Sequence, residues 1–73
     1  MDERLLKNTL KVQRARHNLT QEQLAERVGV TRKSINTVEN GKYVPSTYLA
    51  LKLSKALGVP VEELFQLSDH AEE

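Results

Sequence analysis

Apolar positions in this chain recur three and four residues apart. They fall in blocks separated by glycine, proline or a hydrogen-bonding cap residue, and the blocks predict five short helices. Leu6, Leu10 and Arg14 share one side at helical spacing, which places a first helix from Asn8 or Thr9 to His17, with Asn18 in the turn after it. Before it, Leu5 and Leu6 either begin that helix or form an extended arm, so residues 1–7 stay open. A second helix starts at Thr20. With Gln23, Thr20 has the spacing of a capping box, in which hydroxyl and amide each satisfy an otherwise free backbone N–H. Leu24, Ala25 and Val28 form its inner stripe, and Gly29 stops it by accepting the left-handed conformation.

Only Gly29 and Val30 separate that stop from the next cap, Thr31, and a third helix runs from Arg32 to about Asn40, where Gly41 ends it. Two short helices joined so tightly, with glycine in the turn, must cross steeply, which is a helix-turn-helix unit. A fourth helix is capped by Ser46 and ends at Gly58, with Leu49, Ala50, Leu53, Ala56 and Leu57 as a broad apolar face. A fifth begins near Pro60, with Val61, Leu64 and Phe65 inward and Glu62 and Glu63 at its positive dipole end. From Ser68 on the chain reads as frayed. Strand patterns are absent, so the expected fold is all-α: a compact five-helix domain spanning 1–73, with an ordered core of about 8–67.

Composition narrows the function. A chain of 73 residues buries only about 60% of its unfolded surface, so oligomerisation would help it. Without cysteine, disulfides and thiolate metal sites are excluded, and His17 and His70 lie too far apart in sequence to suggest a metal site. No apolar run approaches the roughly 20 residues of a membrane span, and the N-terminus lacks the pattern of a signal peptide. The expected location is therefore the cytoplasm, on the nucleoid. The net charge of +1 conceals a polarity: residues 1–57 carry all eleven bases against five acids, and residues 58–73 carry the other five acids and no base. A basic body with an acidic end suits a nucleic-acid binder, as it also suits an unevenly charged but ordinary surface.

The third helix is more specific. At about 100° per residue, Ile35, Val38 and the small Ser34 fall on one side, and Arg32, Lys33, Asn36 and Thr37 on the other. All four outward residues can donate hydrogen bonds. Arginine grips guanine O6 and N7 as a pair, asparagine does the same with adenine N6 and N7, and threonine offers a methyl to thymine. Such a helix fits the major groove of DNA and meets base edges near its N-terminus, where Arg32 and Lys33 lie. A plain solvated helix face has the same make-up, and the helix alone does not choose between the two.

The surrounding pattern does choose. Leu19-Thr20-Gln21, Leu24-Ala25, Val28-Gly29-Val30, Ile35, Glu39-Asn40-Gly41, Pro45-Ser46 and Ala56-Leu57-Gly58-Val59 resemble the lambdoid-phage repressor and Cro type of helix-turn-helix, the XRE-like family, over about residues 10–65. The resemblance implies a five-helix fold with the third helix as recognition helix. It implies that Arg32, Lys33 and Asn36 read bases, with Thr37 beside them. It also implies that Gln21 contacts a phosphate while bracing the recognition helix, and that Asn40 and Lys42 meet the DNA backbone. It further implies a partly buried salt bridge between Arg14 and Glu39, a structural role. One departure is Gln13, where the family usually has an apolar residue; the expectation is a side chain only partly buried or turned outward.

The remaining polar residues read plainly: His17 as a solvated helix end, Tyr43 as a loop anchor, Glu22 and Glu26 as a solvated face. No nucleophile with its base, phosphate-binding glycine loop or metal cluster is present, so neither an enzyme nor a cofactor is expected. The sequence thus points to a transcriptional regulator, a repressor in the first instance, whose partner is double-stranded DNA. One recognition helix covers too few base pairs for specificity, so a homodimer on a palindromic operator is expected, with Leu51, Phe65 and Leu67 as candidates for its seam. A reading from another class is an antitoxin or adaptor acting through a protein partner; the lack of a long tail to wrap a toxin counts against it.

Overall fold

A computed structural model describes residues 6–68 of the chain; the expectations for Leu5 and for the end beyond Ser68 lie outside them. The chain runs β1 (Leu6–Asn8), α1 (Leu10–Arg16), α2 (Gln21–Val28), α3 (Arg32–Glu39), α4 (Thr47–Leu57), α5 (Val61–Leu64) and β2 (Phe65–Leu67). Three of the helices, α2, α3 and α4, begin where hydrogen-bonding side chains close them. Thr20 and Gln23 form a full capping box, with Thr20 Oγ1 accepting from the Gln23 N–H at 3.0 Å and Gln23 Oε1 accepting from the Thr20 N–H at 2.8 Å. Thr31 caps α3 through the Ser34 N–H, and Ser46 caps α4 through the Leu49 N–H. Each such cap contributes about 1 kcal/mol.

Gly29 ends α2 at φ 77°, a conformation that costs a side chain strain. This stop lets α3 begin three residues later, so α2 and α3 pack closely on each other as a helix-turn-helix. Asn18 takes the left-handed conformation at φ 55° after α1, which asparagine tolerates better than most residues.

The core is one cluster. Leu10, Leu24, Ile35, Leu53, Leu57 and Leu64 are fully buried, and Ala25, Val28, Val38, Leu49 and Phe65 complete it. Every helix contributes at least one side chain, which gives so small a domain a continuous interior. Gln13 departs from its expectation. It is buried, with Nε2 directed at Thr9 Oγ1, 3.5 Å away. Within the helix its carbonyl accepts from the His17 ring Nδ1 at 3.0 Å.

The all-α expectation needs one addition. β1 and β2 form a two-stranded antiparallel sheet, pairing Leu6 with Leu67, Lys7 with Gln66 and Asn8 with Phe65. Leu6 is therefore extended rather than the start of a helix. The fifth helix is a single turn, because Phe65 has already swung to φ −131°, ψ 132°. Three residues are too few to display the alternation of a strand, and such a ribbon has little stability alone. It is held by contacts between the two ends of the chain: the Thr9 N–H donates to the Leu64 carbonyl at 2.9 Å, and Thr9 Oγ1 donates to the Glu63 carbonyl at 2.7 Å. Gln66 Nε2 turns back to the carbonyls of Glu62 and Glu63, closing the end of α5. Among the described residues, no helix is long and apolar enough to cross a membrane.

Candidate nucleic-acid interface

The helix α3 is pinned from within by its own sequence. Ile35 and Val38 sink into the core, while Arg32, Lys33 and Asn36 stand exposed on the opposite side. Thr37 is half-buried at the flank, and its hydroxyl donates back to the carbonyls of Ser34 (2.9 Å) and Lys33 (3.1 Å). Its proton is thus spent inside the helix.

Two neighbouring helices fix the orientation of α3 through polar contacts. From α1, Arg14 Nε donates to Glu39 Oε2 at 2.6 Å and Arg14 Nη2 to Glu39 Oε1 at 3.3 Å, a forked grip on one carboxylate. The third arm of the guanidinium, Nη1, donates to the Leu19 carbonyl at 2.8 Å. The pair is shielded: side-chain exposure is 15% for Arg14 and 4% for Glu39. From the first turn of α2, Gln21 Nε2 donates to Glu39 Oε1 at 3.0 Å and to Asn36 Oδ1 at 3.2 Å. Gln21 Oε1 accepts from Arg32 Nη1 at 3.4 Å. Arg14, Gln21, Arg32, Asn36 and Glu39 therefore form one network, buried at Glu39 and open to solvent at Arg32 and Asn36.

Beyond the helix, Asn40 is the C-terminal cap residue of α3 and Lys42 follows in the turn; both are exposed. The Gly41 N–H donates to the Val38 carbonyl and the Lys42 N–H to the Thr37 carbonyl, each at 3.0 Å, so this turn is tied to the helix. Of the residues considered for a dimer seam, Leu51 and Leu67 are largely exposed, whereas Phe65 is buried in the core and offers little surface. Tyr43 is half exposed beside the β1–β2 sheet, and with Leu6, Val38 and Phe65 it borders a small hollow.

Asn8 is a positioning residue that the spacing of the chain does not single out. Its Oδ1 accepts from the Leu10 N–H at 3.0 Å, a turn that leads the chain into α1, and its Nδ2 donates to the Val38 carbonyl at 2.9 Å, holding the end of α3. Asparagine favours such a local turn; its second contact, thirty residues away, has no local signal.

This arrangement can present a cationic, hydrogen-bonding rod on a rigid base. A helix-turn-helix family profile matches residues 10–64. The chain belongs to the XRE-like helix-turn-helix family. Among XRE-like relatives, an uncharacterized HTH-type transcriptional regulator of Methanocaldococcus jannaschii is 52% identical over 64 residues, covering 88% of this chain and 97% of that protein. The uncharacterized HTH-type transcriptional regulator YgzD of Bacillus subtilis is 47% identical over 64 residues, covering 88% of this chain and 97% of that protein. Among solved structures, the restriction-modification controller protein C.AhdI from Aeromonas hydrophila superposes with a TM-score of 0.69 at 35% identity, covering 74% of this chain and 82% of that one. The XRE-like match takes in α1 to α5 and thus the whole Arg14–Gln21–Glu39 network.

Proposed function

We propose that this chain is a sequence-specific double-stranded DNA-binding repressor that places α3 in the major groove. The observation that carries this reading is the outward face of α3, where Arg32, Lys33 and Asn36 are exposed together above a partly buried ion pair that fixes the helix. Arg32, Lys33, Asn36 and Thr37 read base edges. Asn40 and Lys42 meet the phosphates, and Gln21, whose side-chain hydrogens are spent on Glu39 and Asn36, does so through the free backbone N–H groups at the start of α2. Attraction between the basic body and the DNA backbone brings the protein to the duplex and weakens as salt rises.

Specificity in a genome needs more than one such helix. The protein acts as a homodimer on a palindromic operator with half-sites about 34–36 Å apart, one helical turn. Leu51 and Leu67, exposed and apolar, are the seam residues this reading assigns.

Selection of bound sequences from a random duplex pool tests the proposal. The expected result is an enriched site of two inverted half-sites with centres one turn apart. A chain that folds, binds no DNA at low salt and co-purifies with a second small protein would instead be acting as an antitoxin or adaptor.

A further inference from the structure

Of the asparagines in this chain, Asn8, Asn18 and Asn36 precede Thr9, Leu19 and Thr37, and Asn40 alone precedes a glycine. The difference is chemical. A backbone nitrogen can attack the carboxamide of the asparagine before it, and a side chain on the attacking residue obstructs the approach. Gly41 has none, and the turn after α3 disfavours one there, because its φ is 73°. The residue that the fold requires at 41 is thus the one that leaves Asn40 open to attack, and the Asn40 side chain is itself exposed. The closed turn holds the reaction back in two ways. The Gly41 N–H, which must lose its proton before the nitrogen can attack, donates to the Val38 carbonyl at 3.0 Å. Asn40 sits at φ −81°, ψ −1°, which turns the Gly41 nitrogen away from the Cβ branch, so ring closure needs ψ to rotate. That rotation breaks the bond from Gly41 to Val38 and opens the last turn of α3.

We propose that Asn40–Gly41 is a self-modification site, a deamidating peptide unit whose rate is set by opening of the last turn of α3. In the open turn the deprotonated Gly41 nitrogen attacks Asn40 Cγ. The N–Cγ bond forms, the Cγ–Nδ2 bond breaks, and Nδ2 leaves as ammonia with the proton given up by Gly41. Water, the sole co-reactant, then opens the cyclic imide at one or other carbonyl and leaves aspartate or isoaspartate. Either product adds a negative charge beside Glu39, in the turn proposed above to meet phosphate, and isoaspartate also lengthens the main chain there by one methylene. Deamidation therefore lowers affinity for duplexes of every sequence, and bound DNA, by holding the turn closed, slows deamidation. This consequence rests on the phosphate-contact reading of Asn40 and Lys42; the modification itself does not.

The test is a timed incubation of the full chain at neutral pH. Peptide mass spectrometry measures amide-to-acid conversion at each asparagine, and enzymatic methylation detects isoaspartate. In guanidinium chloride Asn40 converts faster than Asn8, Asn18 and Asn36. In the folded protein it is still the fastest site but converts at least roughly tenfold more slowly, the signature of a local opening. Equal rates in the folded and unfolded chain overturn the control by the turn, and faster conversion at another asparagine overturns the site. The consequence is read separately, as binding to a random duplex at low salt. Asn40→Asp, its fold checked by circular dichroism, binds roughly tenfold more weakly than wild type, because a like charge is set beside phosphate. Asn40→Ser, uncharged and unable to deamidate, holds its starting affinity through the incubation, while wild type loses affinity in step with conversion. Wild-type affinity in Asn40→Asp, or conversion that added duplex does not slow, overturns the link to DNA and leaves the modification site in place. Unmodified protein that binds no duplex at low salt overturns the phosphate-contact reading, and the mass spectra decide the modification site by themselves.

Discussion

Arg14 grips Glu39 across the first and third helices at 2.6 Å, and the carboxylate it holds is almost sealed from water. A pair so placed offers little net stability over an apolar replacement, but it is costly to break by halves, because the surviving charge stays where water cannot reach it. Here the pair has a second consequence. Glu39 occupies the C-terminal turn of the helix that carries the candidate base readers, so the pair fixes both the position of α3 and, through Gln21, the orientation of its surface side chains.

Glu39→Gln should therefore destabilise the domain by about 3 kcal/mol, since it strands the Arg14 guanidinium with its shape neighbours intact. In a domain of this size that is a fall in Tm of roughly 12 to 24 °C. Thermal unfolding of Glu39→Gln, Arg14→Met and the double variant checks it. The double variant should lose less than the sum of the single losses, and simple additivity would show that the two groups do not interact.

Replacing Arg32 or Asn36 by alanine should leave the fold and its Tm near wild type, because both side chains stand on the exposed face. Each should cost about 1–3 kcal/mol in affinity for the selected operator and relax preference at one base position. Titration of labelled duplexes measures this. Wild-type affinity in both variants would mean that the base-reading face lies elsewhere.

Lys42→Ala acts differently. Lys42 sits exposed in the turn after α3, and the proposed reading has it meet phosphate rather than a base edge. Binding to operator and to unrelated duplex should fall alike, and the slope of log K against log salt should shrink by about one. A loss confined to one base position would contradict that assignment.

Asn8→Ala removes both the acceptor for the Leu10 N–H at the start of α1 and the contact from Nδ2 to the Val38 carbonyl. The expected loss is about 1–2 kcal/mol, because two hydrogen bonds are removed and both partners are orphaned. Chemical denaturation provides the measurement. Asn8→Asp, which keeps the accepting oxygen but not the amide donor, should recover the first part only.

Much of this protein was legible along the chain. The caps at Thr20, Thr31 and Ser46, the glycine stops at Gly29 and Gly58, and the buried stripes between them are where local spacing put them. They depend on interactions within three or four residues, and those are written in the order of the residues. The outward set of α3 was legible for the same reason: helical periodicity alone separates Ile35 and Val38 from Arg32, Lys33 and Asn36.

What the tertiary structure alone decided involves residues far apart in the chain. The pairing of Leu6–Asn8 with Phe65–Leu67 joins segments more than fifty residues distant, each too short to carry a strand pattern. That pairing turned the expected end of the fifth helix into a strand. The inward turn of Gln13 likewise follows from burial at its site, against its polarity. The same holds for the direction in which Asn36 faces. An amide has no preferred orientation until a partner of fixed polarity is brought beside it, and only folding brings Arg14, Glu39 and Gln21 into line.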